Sequence, residues 1–124
     1  MPNALVVDDS RAMRMILART LGEYGFEVRQ AGNGREALAE VEREGPPVGL
    51  ILVDWNMPEM SGLEFVQELR ARPAFSQVPV VMVTTETEIE QMVRALAAGA
   101  NEYVMKPFTR EAIEDKLRLV GAIA

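Results

Sequence analysis

Two uninterrupted apolar runs, LILV at residues 50–53 and VVMV at residues 80–83, say the most about how this chain must fold. A strand with one wet face alternates apolar and polar residues, because successive side chains point to opposite sides of the sheet. Neither run alternates. Each therefore reads as a strand covered on both faces, which calls for helices above and below a parallel sheet. The remaining pattern supplies them. Further strands are predicted at 4–7, 26–31 and 103–105, and the two apolar runs give strands at 50–53 and 78–83. Ser10 is placed to cap a first helix with Met13, Ile16, Leu17 and Leu21 on one face, closing near Gly25. Asn33, with Glu36 three residues on, opens a second helix that continues through Leu38 and Val41 until Gly45, Pro46 and Pro47 stop it. Ser61 and Glu64 form a capping-box pattern before Leu63, Val66 and Leu69, and a loop containing Pro73 follows. Thr87 and Glu90 repeat that pattern, with Ile89, Met92, Val93 and Leu96 expected as the buried face and Gly99 as the end. Thr109 caps the last helix, with Ile113, Leu117 and Val120 inward. Five strands alternating with five helices give an α/β, doubly wound parallel sheet in one domain, residues 1–124.

Composition narrows the chemistry. With no Cys there are no disulfides and no thiolate, and with no His the commonest general base and zinc ligand is missing. Reactivity falls to carboxylates, hydroxyls, amides and lysine, a set suited to hard, oxygen-seeking cations. A net charge of −6 argues against a nucleic-acid surface. No apolar run approaches the ~20 residues of a membrane span. The opening MPNALVVDDS is broken by acidic residues too early for a signal peptide. The cytoplasm is the expected address, with neither nucleic acid nor membrane as partner.

Right-handed crossovers bring all strand carboxyl ends to one edge, where open α/β sheets bind their ligands. Asp8 and Asp9 follow the first strand, Asp54 the third, Thr84 the fourth and Lys106 the fifth. Singly, each has an ordinary explanation: a helix start, a turn aspartate, a β-favouring threonine, a solvated lysine. Their common location favours a site. Three carboxylates in contact repel, each like pair by roughly 4 kcal/mol at ~4 Å and an effective dielectric of 20. Such a cluster takes up protons or recruits a cation, for which Mg²⁺ is the favoured candidate. Lys106 adds fixed positive charge and Thr84 a hydroxyl. Together they match the needs of phosphoryl transfer, in which a carboxylate nucleophile yields an aspartyl phosphate.

The strings VVDDS, VDWNMPEMSG, VVMVTTE and YVMKPF, in this order and spacing, resemble the receiver domain of bacterial two-component response regulators. The resemblance covers nearly the whole chain and is closest to stand-alone chemotaxis members, particularly in DWNMP. It implies the strand order 2-1-3-4-5 of the flavodoxin-like fold. It implies Asp54 as phosphoacceptor, Asp8, Asp9 and Asp54 as Mg²⁺ ligands with the Asn56 backbone carbonyl, and Thr84 and Lys106 as phosphoryl-binding groups. Tyr103 corresponds to a mobile switch aromatic acting with Thr84, which is expected to vacate space for its ring. Lys106–Pro107 is implied to be cis, and Met57, Pro58 and Gly62 to shape the loop beside Asp54. The implied partners are a sensor histidine kinase as donor and a downstream protein reading the face of the fourth helix, fifth strand and fifth helix, in chemotaxis or motility control. With residue 124 the last, a single-domain regulator that is no turnover enzyme is expected. Two departures stand out: Ser61 precedes Gly62 where Asp is frequent, and Glu86, Glu88 and Glu90 make an acidic approach to the fourth helix.

Three other functions fit parts of the pattern. An aspartate-nucleophile phosphatase would carry its nucleophile after the first strand, in an Asp-x-Asp arrangement rather than the adjacent Asp8 and Asp9. A nucleotide or flavin binder needs a Gly-rich or hydroxyl-rich phosphate loop there, and DDSRAM is not one. A receiver used as scaffold or phosphate sink shares the whole site.

Overall fold

In the computed structural model, which describes residues 2–43 and 46–124, the strands are β1 Asn3–Val7, β2 Glu27–Ala31, β3 Val48–Val53, β4 Val80–Thr84 and β5 Glu102–Met105. The helices are α1 Arg11–Glu23, α2 Gly34–Glu42, α3 Gly62–Arg70, α4 Ile89–Ala98 and α5 Arg110–Leu119, with a 3₁₀ turn at Pro73–Phe75. All strand pairs are parallel, in the order β2-β1-β3-β4-β5. The doubly wound expectation holds. The Gly45 stop expected for α2 lies outside the described residues.

The non-alternating runs have the predicted meaning. Leu50, Leu52, Val81 and Val83 pack with Leu17, Leu21, Ile113 and Leu117 beneath α1 and α5. Ile51, Val53, Val80 and Met82 pack on the other face with Val41, Phe65, Val66 and Leu69 of α2 and α3. Among the described residues, no helix is long and apolar enough to cross a membrane.

Capping follows the side chains closely. Ser10, Asn33 and Thr109 each accept the expected amide, and Ser61 with Glu64 forms a complete capping box. Helix α4 departs from expectation twice. Its N-cap is Glu88, with no side-chain cap bond, so Thr87 sits one residue too early to reach the free amides. Its expected buried face holds only in part: Met92 packs against the core, but Ile89, Val93 and Leu96 are 78%, 58% and 46% exposed. The helix seats itself through buried Ala95 and partly buried Met92, and its other large apolar side chains face solvent. Ile16 of α1 is likewise exposed, Leu17 and Leu21 filling the core instead.

The far end of α4 is held firmly. The Arg70 guanidinium donates twice to the Gly99 carbonyl, at 3.1 and 2.9 Å, and reaches Phe75 O and Asn101 Oδ1. Gly99 has φ +121°, and a Cβ there would lie 2.6 Å from Arg70 Cγ. Glycine satisfies both conditions.

Candidate functional site

Register assembles the site before any side chain contributes. Val7 pairs with Val53, and the ladder runs one step further: Asp54 N donates to Val7 O at 2.9 Å, and Asp8 N to Ala31 O at 3.1 Å. Asp8 and Asp54 thus leave neighbouring strands side by side, where the strand order reverses between β1 and β3. On the other flank, Lys106 N donates to Thr84 O at 2.8 Å. The Lys106–Pro107 bond is cis.

Lys106 Nζ donates to Asp8 Oδ2 at 2.7 Å and to Asp54 Oδ2 at 3.2 Å. Burial alone pulls the ammonium pKa down, but the Asp8 hydrogen bond and the Asp54 and Asp8 charges outweigh it, and the pKa is raised. The remaining carboxylate oxygens have partners of their own. Asp54 Oδ1 accepts the Trp55 amide at 2.7 Å, and Asp8 Oδ1 accepts the Ser10 amide at 2.9 Å. Asp8 and Asp54 are buried, whereas Asp9 is exposed. One oxygen from each of the three lies within 4.8 Å of the others. Asp9 also borders an open depression of about 470 Å³ with Trp55, Asn56, Met57, Pro58 and Ser61. The cluster is therefore reachable from solvent. An all-oxygen donor set of two buried carboxylates and one exposed one fits a hard divalent cation.

The loop after Asp54 is fixed by backbone contacts. Gly62 N donates to Trp55 O at 2.8 Å, and a Cβ on Gly62 would lie 1.9 Å from Asp54 O. No other residue fits there without moving the aspartate. Glu59 adopts φ +65°, a region costly for a side chain, and Asn33 Nδ2 holds its carboxylate at 3.0 Å.

Sequence reasoning undervalued Glu86, which it read as part of an acidic surface. Its amide donates to Thr84 Oγ1 at 3.3 Å, its carbonyl accepts the Tyr103 hydroxyl at 2.8 Å, and its carboxylate accepts Asn56 Nδ2. One residue thereby ties the ends of β4 and β5 to the loop after β3. Its position two residues past a strand end was the available signal. Tyr103 is packed inward here, and burial, with the Glu86 and Asp54 charges, pushes its phenol up to about 12. Two further contacts had no sequence signal: Arg14 Nη1 on Asp8 O at 2.7 Å, and Arg94 over the Trp55 ring at 5.8 Å.

Of the residues expected at the site, Asp8, Asp9, Asp54 and Lys106 come together directly. Thr84, Tyr103 and Asn56 are linked to one another through Glu86.

Comparison with known proteins agrees with this geometry. Residues 4–118 match the response regulator receiver domain family. The chain is 42% identical to chemotaxis protein CheY1 of Helicobacter pylori strain J99 over 117 residues, covering 94% of each. It is 43% identical to a chemotaxis protein CheY homolog of Campylobacter jejuni over 114 residues, covering 91% of this chain and 87% of that one. The structure of Vibrio cholerae chemotaxis protein CheY4 superimposes with a TM-score of 0.89 at 38% identity, over 97% of this chain and 98% of that one. A match spanning nearly every element, on a fold with acidic strand ends gathered at the reversal of strand order, establishes that the chain belongs to the response regulator receiver domain family.

Proposed function

We propose that Asp54 is the phosphoacceptor of a phosphorelay switch, charged by a sensor histidine kinase. The observation that carries this reading is the convergence of Asp8, Asp9, Asp54 and Lys106 in one solvent-reachable crevice. An Asp54 carboxylate oxygen attacks the phosphorus of a phosphohistidine; the new O–P bond forms as the P–N bond breaks, and the imidazole leaves with a proton from solvent. Asp8, Asp9 and Asp54, with the Asn56 backbone carbonyl, would hold Mg²⁺. When bound, the ion supplies positive charge for the phosphoryl oxygens. Lys106 adds a second positive charge, already in contact with Asp54. The chain in this reading receives the group itself and turns over no separate substrate.

Thr84 couples the site to the surface. Its oxygen accepts from the Glu86 amide, which leaves the hydroxyl proton free to donate to a phosphoryl oxygen. Movement of Thr84 then pulls on Glu86, and Glu86 carries the Tyr103 hydroxyl. The phosphoryl group favours one of two existing arrangements by its differential contacts with them. A downstream protein reads the α4–β5–α5 face. Relatives named as chemotaxis proteins support a role in chemotaxis or motility. This reading sets that role in the cytoplasm.

The test is labelling by acetyl phosphate with Mg²⁺, followed by intact mass. The wild-type chain should gain one phosphoryl group and Asp54→Asn none, while both give the same circular dichroism. Full labelling of Asp54→Asn would remove Asp54 from the role.

A further inference from the structure

The loop that follows Asp54 is tied at its base and at its crest by different means. At the base, Gly62 N donates to Trp55 O at 2.8 Å. At the crest, Met60 N donates back to Pro58 O at 2.7 Å across Glu59, whose φ is +65°. A bond of this span around a residue of positive φ is the strained form of the γ-turn, which persists only where its surroundings hold it.

The first turn of α2 does the holding. Asn33 Nδ2 donates to Glu59 Oε2 at 3.0 Å, and Gly34 N donates to Met60 O at 3.3 Å. A Cβ on Gly34 would lie 2.7 Å from Met60 Cγ, so glycine lets the crest sit down on the helix. Asn33 is buried and caps the same helix. Its Oδ1 accepts the Glu36 amide at 2.9 Å, and its Nδ2 also donates to Glu36 Oε2 at 3.1 Å. A carboxamide offers an acceptor oxygen and two N–H donors, and here all are used. An aspartate would cap equally well and have no hydrogen to give either glutamate. The cap alone does not call for an amide; the bond to Glu59 does.

What this latch holds is one wall of the approach to the site. Trp55, Asn56, Met57, Pro58 and Ser61 border the same depression as Asp9. The Asn56 carbonyl, read above as a Mg²⁺ ligand, lies on this stretch three residues before Glu59. We propose that Asn33 is a positioning residue for the cation: from outside the ligand set, its amide fixes the crest of the loop and with it the Asn56 carbonyl. The proposal rests on the reading of the acidic cluster as a Mg²⁺ site and adds to it a residue that touches no ligand. Groups that orient a ligand in this way set metal affinity by about tenfold or more.

The test is Mg²⁺ affinity, titrated on the full chain through the fluorescence of Trp55, the single tryptophan, which adjoins Asp54. Two substitutions at Glu59 separate the latch from charge. Glu59→Gln and Glu59→Ala remove the same charge and leave the α2 cap intact, but only glutamine keeps an oxygen for the Asn33 amide. The alanine variant should bind Mg²⁺ about tenfold more weakly than the glutamine variant. Asn33→Asp adds negative charge, which by Coulomb attraction alone favours a cation. With the latch broken, it should instead weaken binding by about tenfold. Adding Glu59→Gln to Asn33→Asp restores a donor across the contact, its direction reversed, and should recover most of the loss. Equal affinity in the two Glu59 variants, unchanged or tighter binding by Asn33→Asp, or no recovery in the double variant would overturn the proposal. Circular dichroism checks the fold of each; if Asn33→Asp does not fold, the two Glu59 variants decide alone. Failure of the wild-type chain to bind Mg²⁺ defeats the cation reading and this proposal with it. Binding that is equal across the variants defeats this proposal alone.

Discussion

At the level of single residues, the site is a problem in charge placement. Two buried aspartates on adjacent strands repel, and Lys106 Nζ lies within hydrogen-bonding distance of both. These three were legible in the sequence because each ends or follows an apolar run. Glu86 was marked only by its place two residues past a strand end, since its amide and carbonyl do as much as its side chain, and backbone contacts leave no mark on residue type. Burial of Tyr103, with the nearby Glu86 and Asp54 charges, gives a pH signature. The Tyr103 phenol is pushed up to about 12, while an unfolded tyrosine ionises near ~10. Between those values the unfolded chain loses its proton first, so the Tyr103 contribution is full below about pH 10 and disappears as pH rises through 12. Lys106, also raised, acts in the same direction above its ordinary range. Denaturant midpoints measured over about pH 9–11 should therefore fall more steeply for the wild-type chain than for Tyr103→Phe, in which only the lysine effect remains. Equal slopes would remove the inward Tyr103 contact from the native state.

At the level of elements, strands and helix starts could be read and helix faces only in part. The strands were found because burial on both faces suppresses alternation, and four of five caps because Ser, Asn and Thr hold amides by short, local bonds. Helix α4 misled on both counts. Its hydrophobic period is real, but periodicity locates an apolar stripe without saying whether the core or a partner covers it. Thr87 and Ser61 give the sharpest comparison. Ser61→Ala should destabilise the fold by about 1 kcal/mol, because the α3 capping box is complete. Thr87→Ala should fall within about 0.5 kcal/mol of wild type, because no cap bond is lost. Urea denaturation of the pair decides it; equal losses would mean that Thr87 caps α4 after all.

At the level of the whole molecule, one sheet carries two cores, and the crevice sits where neither reaches. Its acidic cluster adds to a net charge of −6. A divalent cation that joins the native cluster and has no counterpart in the unfolded chain stabilises by mass action, by about 2.7 kcal/mol at a hundredfold excess over Kd. Magnesium chloride should therefore raise the melting temperature beyond sodium chloride of equal ionic strength, and Asp9→Asn should diminish that difference. Identical curves for the two salts would leave the cluster without a cation-binding role. The Arg70 clamp has a consequence at this scale as well. With the Gly99 end of α4 anchored by a guanidinium and the Glu88 end lacking a side-chain cap, the helix resembles a door hung on one side. A displacement of the helix should therefore begin at the Glu88 end and leave the hinge in place.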